Sequence, residues 1–437
     1  MNFNKNNIMV NRFFTFLLIV LTTLAASAQN PKDEISADPC LSGSNHLAYP
    51  GPVQERLTPA PKGYRPFYIS HYGRHGSRYL IGPDEYGVPV KVLARADSLG
   101  KLTPLGRDVL RRVRLLKEEA RGRLGELTPL GAEQHRQIAR RMYERFPEVF
   151  KGNVTVDAKS TVVIRCILSM ENELQELLLH NPKLDIRHDA SEHDMYYMNL
   201  SDPVLSSQKA PRRAIVAWND FCARHVSRAP LMQRLFNDAE YVKYEVDTLD
   251  LGNRLFKLAA NVQSSPLGEK MSLYDMFTKD ELYNFWLADN ASWYIGYGAC
   301  KLNGGTQPFS QRNLLRNIIH QADSCIALER PGATLRFGHE TMVLPLTCLL
   351  GINGYDFETD DLESLVGKGW VNYRIFPMGA NIQLVFYRRN AADSDVLVKV
   401  LLNENEATLP LPSDLAPYYR WSDFKDYYLK KLDSYKQ

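Results

Sequence analysis

The clustering of apolar residues along the chain predicts five β-strands. Residues 66–70 form a short apolar and aromatic run typical of a buried strand, and the runs at residues 154–157 and 333–337 also predict strands. Two further β-rich runs, residues 382–387 and 396–402, are separated by a charged turn. These two runs predict a hairpin at the edge of a sheet or two neighbouring strands.

Apolar residues spaced three or four apart predict helices. Two helices begin at similar segments, Leu-Thr-Pro-Leu-Gly at residues 102–106 and 127–131, where Thr can cap the helix and Pro can occupy its first turn. An apolar helix is expected over residues 341–350, and a surface helix over residues 421–435.

Other segments carry different patterns. Residues 29–62 and 79–88 contain helix-breaking residues, which predicts an extended surface arm and an irregular loop. From about residue 195 to residue 330 the chain has long helical stretches, many aromatic residues and no clear strand alternation. We interpret this region as a mostly helical insertion that covers the core.

The N-terminus has the pattern of a secretory signal over residues 1–28. Lys5 and Arg12 flank an apolar run, and Ala26-Ser27-Ala28 forms a small-residue cleavage site. We therefore expect an exported protein, periplasmic or extracellular, whose mature chain starts near Gln29. No later stretch is long and apolar enough to span a bilayer, so no membrane partner is expected.

Composition narrows the possible partners. The chain has 53 basic and 50 acidic residues, and two of the basic ones lie in the predicted signal, so its balance gives no general attraction to nucleic acid. Any anion site must come from a local cluster. The six cysteines permit disulfides in an oxidising compartment, but their wide spacing shows no metal-site pattern.

Residues 71–78, His-Tyr-Gly-Arg-His-Gly-Ser-Arg, form such a cluster directly after the first predicted strand. Two glycines break the strand where open α/β folds bind ligands. His75 can attack an electrophile, and the guanidiniums of Arg74 and Arg78 can each bind a tetrahedral oxyanion. This combination predicts phosphoryl transfer through a phosphohistidine. A short Arg-His-Gly string alone would also fit a solvated turn.

A second segment repeats this arrangement. Gly338, His339 and Glu340 follow a predicted strand and precede a helix. His339 could bind a phosphate oxygen, and Glu340, when protonated, could donate to a departing alkoxide. Glu340 could instead only stabilise the N-terminus of the helix. Arg165, in the first turn of another predicted helix, could add a third guanidinium.

A metal site is a weaker interpretation. His71 and His75 are four residues apart, as metal-binding histidines on a helix are, but Gly73 between them disfavours that helix. We expect no metal and no cofactor, because guanidiniums can neutralise a phosphate.

Taken in order, these segments resemble the histidine acid phosphatases, the branch of the histidine phosphatase superfamily that includes phytases. The chain looks most similar to the multiple inositol polyphosphate phosphatases. The resemblance covers most of the mature chain and rests on residues 74–78, 125–131, Arg165 with Ser169, 338–340 and 396–403. It departs from the family pattern at Leu80, at Cys166 and in the direct His339-Glu340 succession.

The resemblance implies an α/β fold, with a mostly parallel sheet flanked by helices and an inserted, mainly helical cap domain. The core would comprise residues 29–194 and 331–437, and the cap residues 195–330. His75 would be the nucleophile and Glu340 the proton donor. The substrate phosphate would be bound by Arg74, Arg78, Arg165 and His339.

The implied activity is a metal-independent phosphomonoesterase acting on small-molecule phosphates, namely inositol polyphosphates of the phytate type. A broad-specificity acid phosphatase, a mutase of the same superfamily and a non-catalytic binder of phosphate or inositol phosphates remain alternatives. A highly charged substrate would want further cations at the mouth of the site. Candidates are Lys91, Arg95, Arg212 and Arg213.

Overall fold

An eight-stranded sheet forms the centre of the computed structural model, which describes residues 30–199 and 201–436. The predicted signal at residues 1–28 lies outside the described residues. The strands are β1 (Arg65–Arg74), β2 (Thr155–Ser160), β3 (Asp185–Asp189), β4 (Gly332–Gly338), β5 (Asn381–Arg388), β6 (Leu397–Leu402), β7 (Asn405–Glu406) and β8 (Tyr418–Arg420). Their order in the sheet is β3-β2-β4-β1-β5-β6-β7, and β8 pairs with β6.

The sheet has a parallel half and an antiparallel half. Strands β3, β2, β4 and β1 pair in parallel, whereas β5 pairs antiparallel with both β1 and β6. The predicted α/β class is confirmed, but the sheet is mixed rather than mostly parallel. The reason is local, because the connection between β5 and β6 is too short to hold the crossover that a parallel pair requires.

Helices cover both faces of the sheet. Those outside the connection between β3 and β4 are α1 (Pro31–Ala37), α2 (Pro83–Ser98), α3 (Pro104–Glu119), α4 (Pro129–Arg145), α5 (Ile164–His180), α14 (Glu340–Leu350) and α15 (Trp421–Ser434). Those between β3 and β4 are α6 (Met195–Met198), α7 (Pro203–Gln208), α8 (Arg212–His225), α9 (Ala229–Leu235), α10 (Ala239–Glu245), α11 (Thr248–Asn261), α12 (Lys279–Tyr297) and α13 (Arg312–Ile326). None of the described helices is both long and apolar enough to cross a membrane.

Two hydrophobic clusters hold these layers together. On one face of the sheet, Met142 of α4 and Leu174 of α5 belong to the same buried cluster as Val385 of β5. On the other face, Tyr72 of β1 belongs to the same buried cluster as Trp286 of α12. The predicted helical region therefore shares a continuous core with the sheet, and the cap boundaries stay a prediction.

Two local predictions were wrong. Residues 79–88 are not an irregular loop throughout, because Pro83 starts α2 at the position in a helix where the missing N–H costs nothing. The segment after residue 29 is not an extended arm, because α1 and a 3₁₀ helix over Pro39–His46 fold back onto the body of the protein. Ser42 and His46 are buried there.

Candidate active site

Two loops meet at the carboxyl ends of β1 and β4. The parallel register places Arg74 beside Gly338, so the polar segments that follow both strands start at the same edge of the sheet. The backbone N–H of His75 donates to the Gly338 carbonyl at 3.0 Å, and the N–H of Gly379 donates to the His75 carbonyl at 2.9 Å. The backbone at His75 is therefore fixed from both sides.

Helices α4 and α5 hold the rest of the first loop. The Gly76 N–H donates to Ser169 Oγ at 3.1 Å, and the Ser77 N–H donates to Gln134 Oε1 at 2.8 Å. Gly131, in the first turn of α4, lies so close to Ser77 that a methyl group would overlap the Ser77 carbonyl oxygen. This close approach explains the glycine that ends the Leu-Thr-Pro-Leu-Gly segment at residues 127–131.

The tautomer of His75 follows from its hydrogen bond. Nδ1 lies 2.9 Å from the Gly76 carbonyl oxygen, which can only accept, so Nδ1 carries the proton and Nε2 carries a lone pair. Nε2 lies 3.8 Å from Glu340 Oε2. Burial and the neighbouring guanidiniums of Arg74 and Arg165 hold the pKa of His75 well below its usual range. The imidazole is therefore a neutral, buried nucleophile.

Three guanidiniums surround this ring. Arg74 is fully buried, and its Nη1 donates to the carbonyls of Asn45 and Phe376 at 2.8 Å, while Nη2 has no hydrogen-bond partner among the described residues. Burial lowers the pKa of Arg78 to about 10, so its guanidinium stays charged at neutral pH. Arg165 Nη1 lies 3.4 Å from the Gly125 carbonyl oxygen. The Nε atoms of Arg78 and Arg165 are buried without a hydrogen-bond partner in the described chain.

Glu340 and His339 lie opposite the first loop, where α14 begins. Glu340 Oε2 is 3.0 Å from Arg74 Nε. Burial opposes the charge of this carboxylate, but the guanidiniums of Arg74 and Arg78 outweigh burial and lower the pKa of Glu340 to about 2. Burial lowers the pKa of His339 to about 4, so its ring is neutral near pH 7.

The structure thus brings together all six residues singled out from the sequence, although their roles remain predictions. They are His75, Glu340, Arg74, Arg78, Arg165 and His339. The Cys166 thiol lies behind them and donates to the Gly338 carbonyl at 3.3 Å. Cys166 and Cys348 are buried free thiols.

Asn45 is a site residue that the sequence did not reveal. Its Nδ2 lies 3.4 Å from Glu340 Oε1, and its carbonyl oxygen accepts from Arg74. No motif marks it, because the segment was interpreted as a surface arm. Two of the cations expected at the mouth are engaged elsewhere, since Arg95 pairs with Glu245 at 2.7 Å and Arg213 donates to the Leu302 carbonyl.

A cation is poorly suited to this site. The ligand atoms of His75, His339 and Glu340 lie within 4.8 Å of one another, close enough to hold a metal ion. However, Arg74 already occupies one carboxylate oxygen of Glu340, and the charges of Arg78 and Arg165 repel a metal. The donors left without a partner in the described chain are guanidinium N–H groups, which favour an anion with several oxygens.

Solved structures of similar fold include several phosphatases. The chain is similar to the Bifidobacterium longum multiple inositol polyphosphate phosphatase in complex with phosphate, with 18% identity, a TM-score of 0.76, and coverage of 90% of this chain and 98% of that one. The complex of the same protein with inositol hexasulfate is 18% identical, with a TM-score of 0.75 and coverage of 88% of this chain and 96% of that one. The phytase from D. castellii is 14% identical, with a TM-score of 0.64 and coverage of 90% of this chain and 85% of that one. At these identities the likeness shows the fold alone. No curated protein sequence matches the chain significantly.

The family comparison is more decisive. Residues 74–403 match the model of the histidine phosphatase superfamily (branch 2). The match starts at Arg74, includes both loops of the site and spans well over half of the chain. This protein therefore belongs to branch 2 of the histidine phosphatase superfamily.

Proposed function

We propose that this protein is a phosphomonoesterase that hydrolyses inositol polyphosphates of the phytate type through a phosphohistidine at His75. Family membership supports phosphatase activity. The observation that carries the proposal is the neutral His75 ring, whose Nε2 lies 3.8 Å from Glu340 and which feels the charges of Arg74, Arg165 and Arg78. Each of these arginines keeps at least one buried nitrogen without a hydrogen-bond partner among the described residues. A phosphate monoester can use those donors while its phosphorus lies in line with Nε2.

The first step transfers the phosphoryl group to the enzyme. A bond forms between His75 Nε2 and phosphorus while the ester P–O bond breaks. Arg74, Arg78, Arg165 and His339 stabilise the charge on the phosphoryl oxygens. Protonated Glu340 donates its proton to the leaving alkoxide oxygen.

The second step regenerates the enzyme. Water attacks the phosphorus of the phosphohistidine, and the Glu340 carboxylate accepts a proton from that water. The N–P bond breaks, the lone pair returns to Nε2, and inorganic phosphate leaves. The same carboxyl group therefore acts first as acid and then as base.

The direct test combines substitution with trapping. His75→Ala is expected to abolish phosphate release from phytate and from an aryl phosphate while retaining part of the affinity for inorganic phosphate, because the arginines remain. Acid-sensitive labelling of the wild type at His75 by ³²P-labelled substrate would identify the intermediate. An active His75→Ala variant would exclude the covalent role, and a wild type that binds phytate without releasing phosphate would favour a non-catalytic binder. His193→Ala, at an exposed residue, is the control.

Two parts of the proposal need separate measurements. Metal independence is supported by the guanidiniums around His75, and activity is expected to survive EDTA; a strong loss would contradict it. Preference for inositol polyphosphates is measured by kcat/KM with phytate and with glycerol phosphate. Equal values would favour a broad-specificity acid phosphatase.

Export is proposed from the sequence of residues 1–28. The basic flank, apolar run and Ala26-Ser27-Ala28 segment support removal of a signal and release to the periplasm or the medium. N-terminal sequencing of the protein from fractionated cells is expected to start near Gln29. An intact Met1 on cytoplasmic protein would contradict this.

A further inference from the structure

A lysine without a described acidic partner lines a cavity that borders the first turn of α14, the helix that begins at Glu340. Lys209 follows α7, and its Nζ lies 3.4 Å from the centre of the Tyr297 ring at the end of α12. Among the described residues, no carboxylate forms an ion pair with this ammonium, and burial alone acts on its pKa. Burial lowers the pKa of Lys209 to about 8, which reflects a partly desolvated charge that nothing nearby compensates.

Lys209 and the helix that carries Glu340 border the same cavity. Lys209 and Tyr297 both line a cavity of about 180 Å³ whose wall includes Thr341 and Met342. These two residues directly follow Glu340 in α14. The same pair also lines a larger cavity of about 520 Å³ between α8 and α12. Burial raises the pKa of Tyr297 to about 12, and the negative charge of Glu340 adds to this rise.

Asp289 lines the larger cavity, where its Oδ2 accepts from Asn372 Nδ2 at 3.3 Å, and two other charged groups near these cavities are held in ion pairs. Lys257 lines a neighbouring cavity, but its Nζ lies 2.6 Å from Glu85. Asp202 lines the same cavity as Lys209, but its carboxylate is 2.6 Å from Arg312. Lys209 therefore offers its ammonium to a ligand without breaking an ion pair.

We infer that Lys209 binds a second phosphate group of the substrate, one that is not being hydrolysed, and so favours polyphosphorylated substrates over simple monoesters. This inference rests on the proposed function. An ammonium on a flexible stem binds phosphate as a point charge, and a partly buried charge is less screened than one on the surface. A monoester with one phosphate, held at His75, would gain nothing from Lys209.

The test compares two substrates in matched variants. Lys209→Met keeps the aliphatic stem over Tyr297 and removes the charge. It is expected to lower kcat/KM for phytate about tenfold or more and to leave kcat/KM for an aryl phosphate within about twofold. Lys209→Arg should restore most of the phytate activity. The control is Lys183→Met, at an exposed residue before β3 and so at the opposite edge of the sheet. Equal losses on both substrates, or no loss on phytate, would overturn the inference.

A binding measurement separates this inference from the proposed function. Calorimetry with inositol hexasulfate and with inorganic sulfate needs no turnover. Lys209→Met is expected to weaken hexasulfate binding about tenfold and to leave sulfate binding unchanged. Unchanged hexasulfate affinity would overturn the role of Lys209, even if the wild type hydrolyses phytate. Failure of the wild type to release phosphate from any ester would instead overturn the proposed activity.

Discussion

Arg74 Nε lies 3.0 Å from Glu340 Oε2, so the last residue of β1 and the first residue of α14 form a buried ion pair across the site. This pair keeps Glu340 ionised, with a pKa of about 2. A general acid must instead be protonated. In the proposed mechanism the substrate supplies the change, because its phosphate engages Arg74 and places negative charge beside the carboxylate, and both effects raise the pKa of Glu340.

Anion binding is therefore expected to be coupled to proton uptake. Sulfate is a suitable probe, because it does not itself titrate near pH 5. Calorimetry at pH 5 in buffers of different ionisation enthalpy should show protons taken up as sulfate binds. In Glu340→Gln, fewer protons should be taken up and sulfate should bind about tenfold more tightly, since a competing negative charge is gone. Identical proton uptake in both proteins would show that Glu340 does not receive the proton.

The role of Glu340 as general acid predicts a dependence on the leaving group. Glu340→Gln cannot protonate an alkoxide, so kcat/KM for phytate should fall by about 10²-fold or more. An activated aryl phosphate, whose leaving group needs little protonation, should lose much less. Because kcat/KM reports the first chemical step, the later hydrolysis of the phosphohistidine does not obscure the comparison. Equal losses on both substrates would assign the proton donor to another residue.

The contact between Gly131 and the first loop predicts a steric defect. Gly131→Ala would force its methyl group against the backbone of Ser77, which cannot move without shifting His75. We expect a loss of about 1–3 kcal/mol in the free energy of unfolding and a marked loss of activity. Gly87→Ala in α2 is the matched control, because nothing lies within 4 Å of the added methyl group. That change should stabilise the protein by about 0.5–1 kcal/mol and leave activity unchanged. Urea denaturation and phosphate release measure both effects.

The sequence predicted those strands and helices whose type follows from a local pattern of residues. Strands β1 and β4 contain the predicted apolar runs, and α3 and α4 begin at the predicted Thr-Pro segments. The predicted end of β1 was wrong, because residues 71–73 pair with both β4 and β5 and the strand continues to Arg74. Strand β3 was missed, because Asp185–Asp189 is a polar edge strand with no hydrophobic alternation. Parallel pairing with β2 stabilises this strand, although its own sequence does not favour a strand.

The residues of the candidate site also fall into two groups, those that a local motif reveals and those that only the folded structure reveals. The cluster at residues 74–78 and the pair His339-Glu340 are local motifs whose chemistry is readable from residue types. Asn45 reaches Glu340 from 295 positions away, and its side chain carries no sign of that contact. Lys209 differs from other lysines only in what surrounds it. Such residues are recognised only from their neighbours in the folded structure, because the spacing of residues along the sequence does not reveal those neighbours.

The stability of the protein should fall on mild acidification because of His71. Both ring nitrogens of His71 are buried without a hydrogen-bond partner among the described residues. Burial, together with the charges of His135 and Arg336, lowers the pKa of His71 to about 3. The unfolded chain therefore binds more protons between about pH 6.5 and pH 3, so this contribution to stability is complete above pH 6.5 and is lost as the pH falls.

His71→Leu isolates this effect. Each pH unit below about 6.5 should lower the free energy of unfolding of the wild type by about 1.4 kcal/mol through His71. The difference in this free energy between pH 7 and pH 5 should therefore be about 2 kcal/mol smaller in the variant. Urea denaturation at the two pH values gives this difference directly, and any cavity left by the substitution affects both measurements alike. His320→Leu, on the exposed side of α13, should leave the difference unchanged. If His71→Leu and the wild type lose the same stability between pH 7 and pH 5, the acid sensitivity comes from other groups. That result would mean that the His71 ring takes up its proton equally in the folded and unfolded protein.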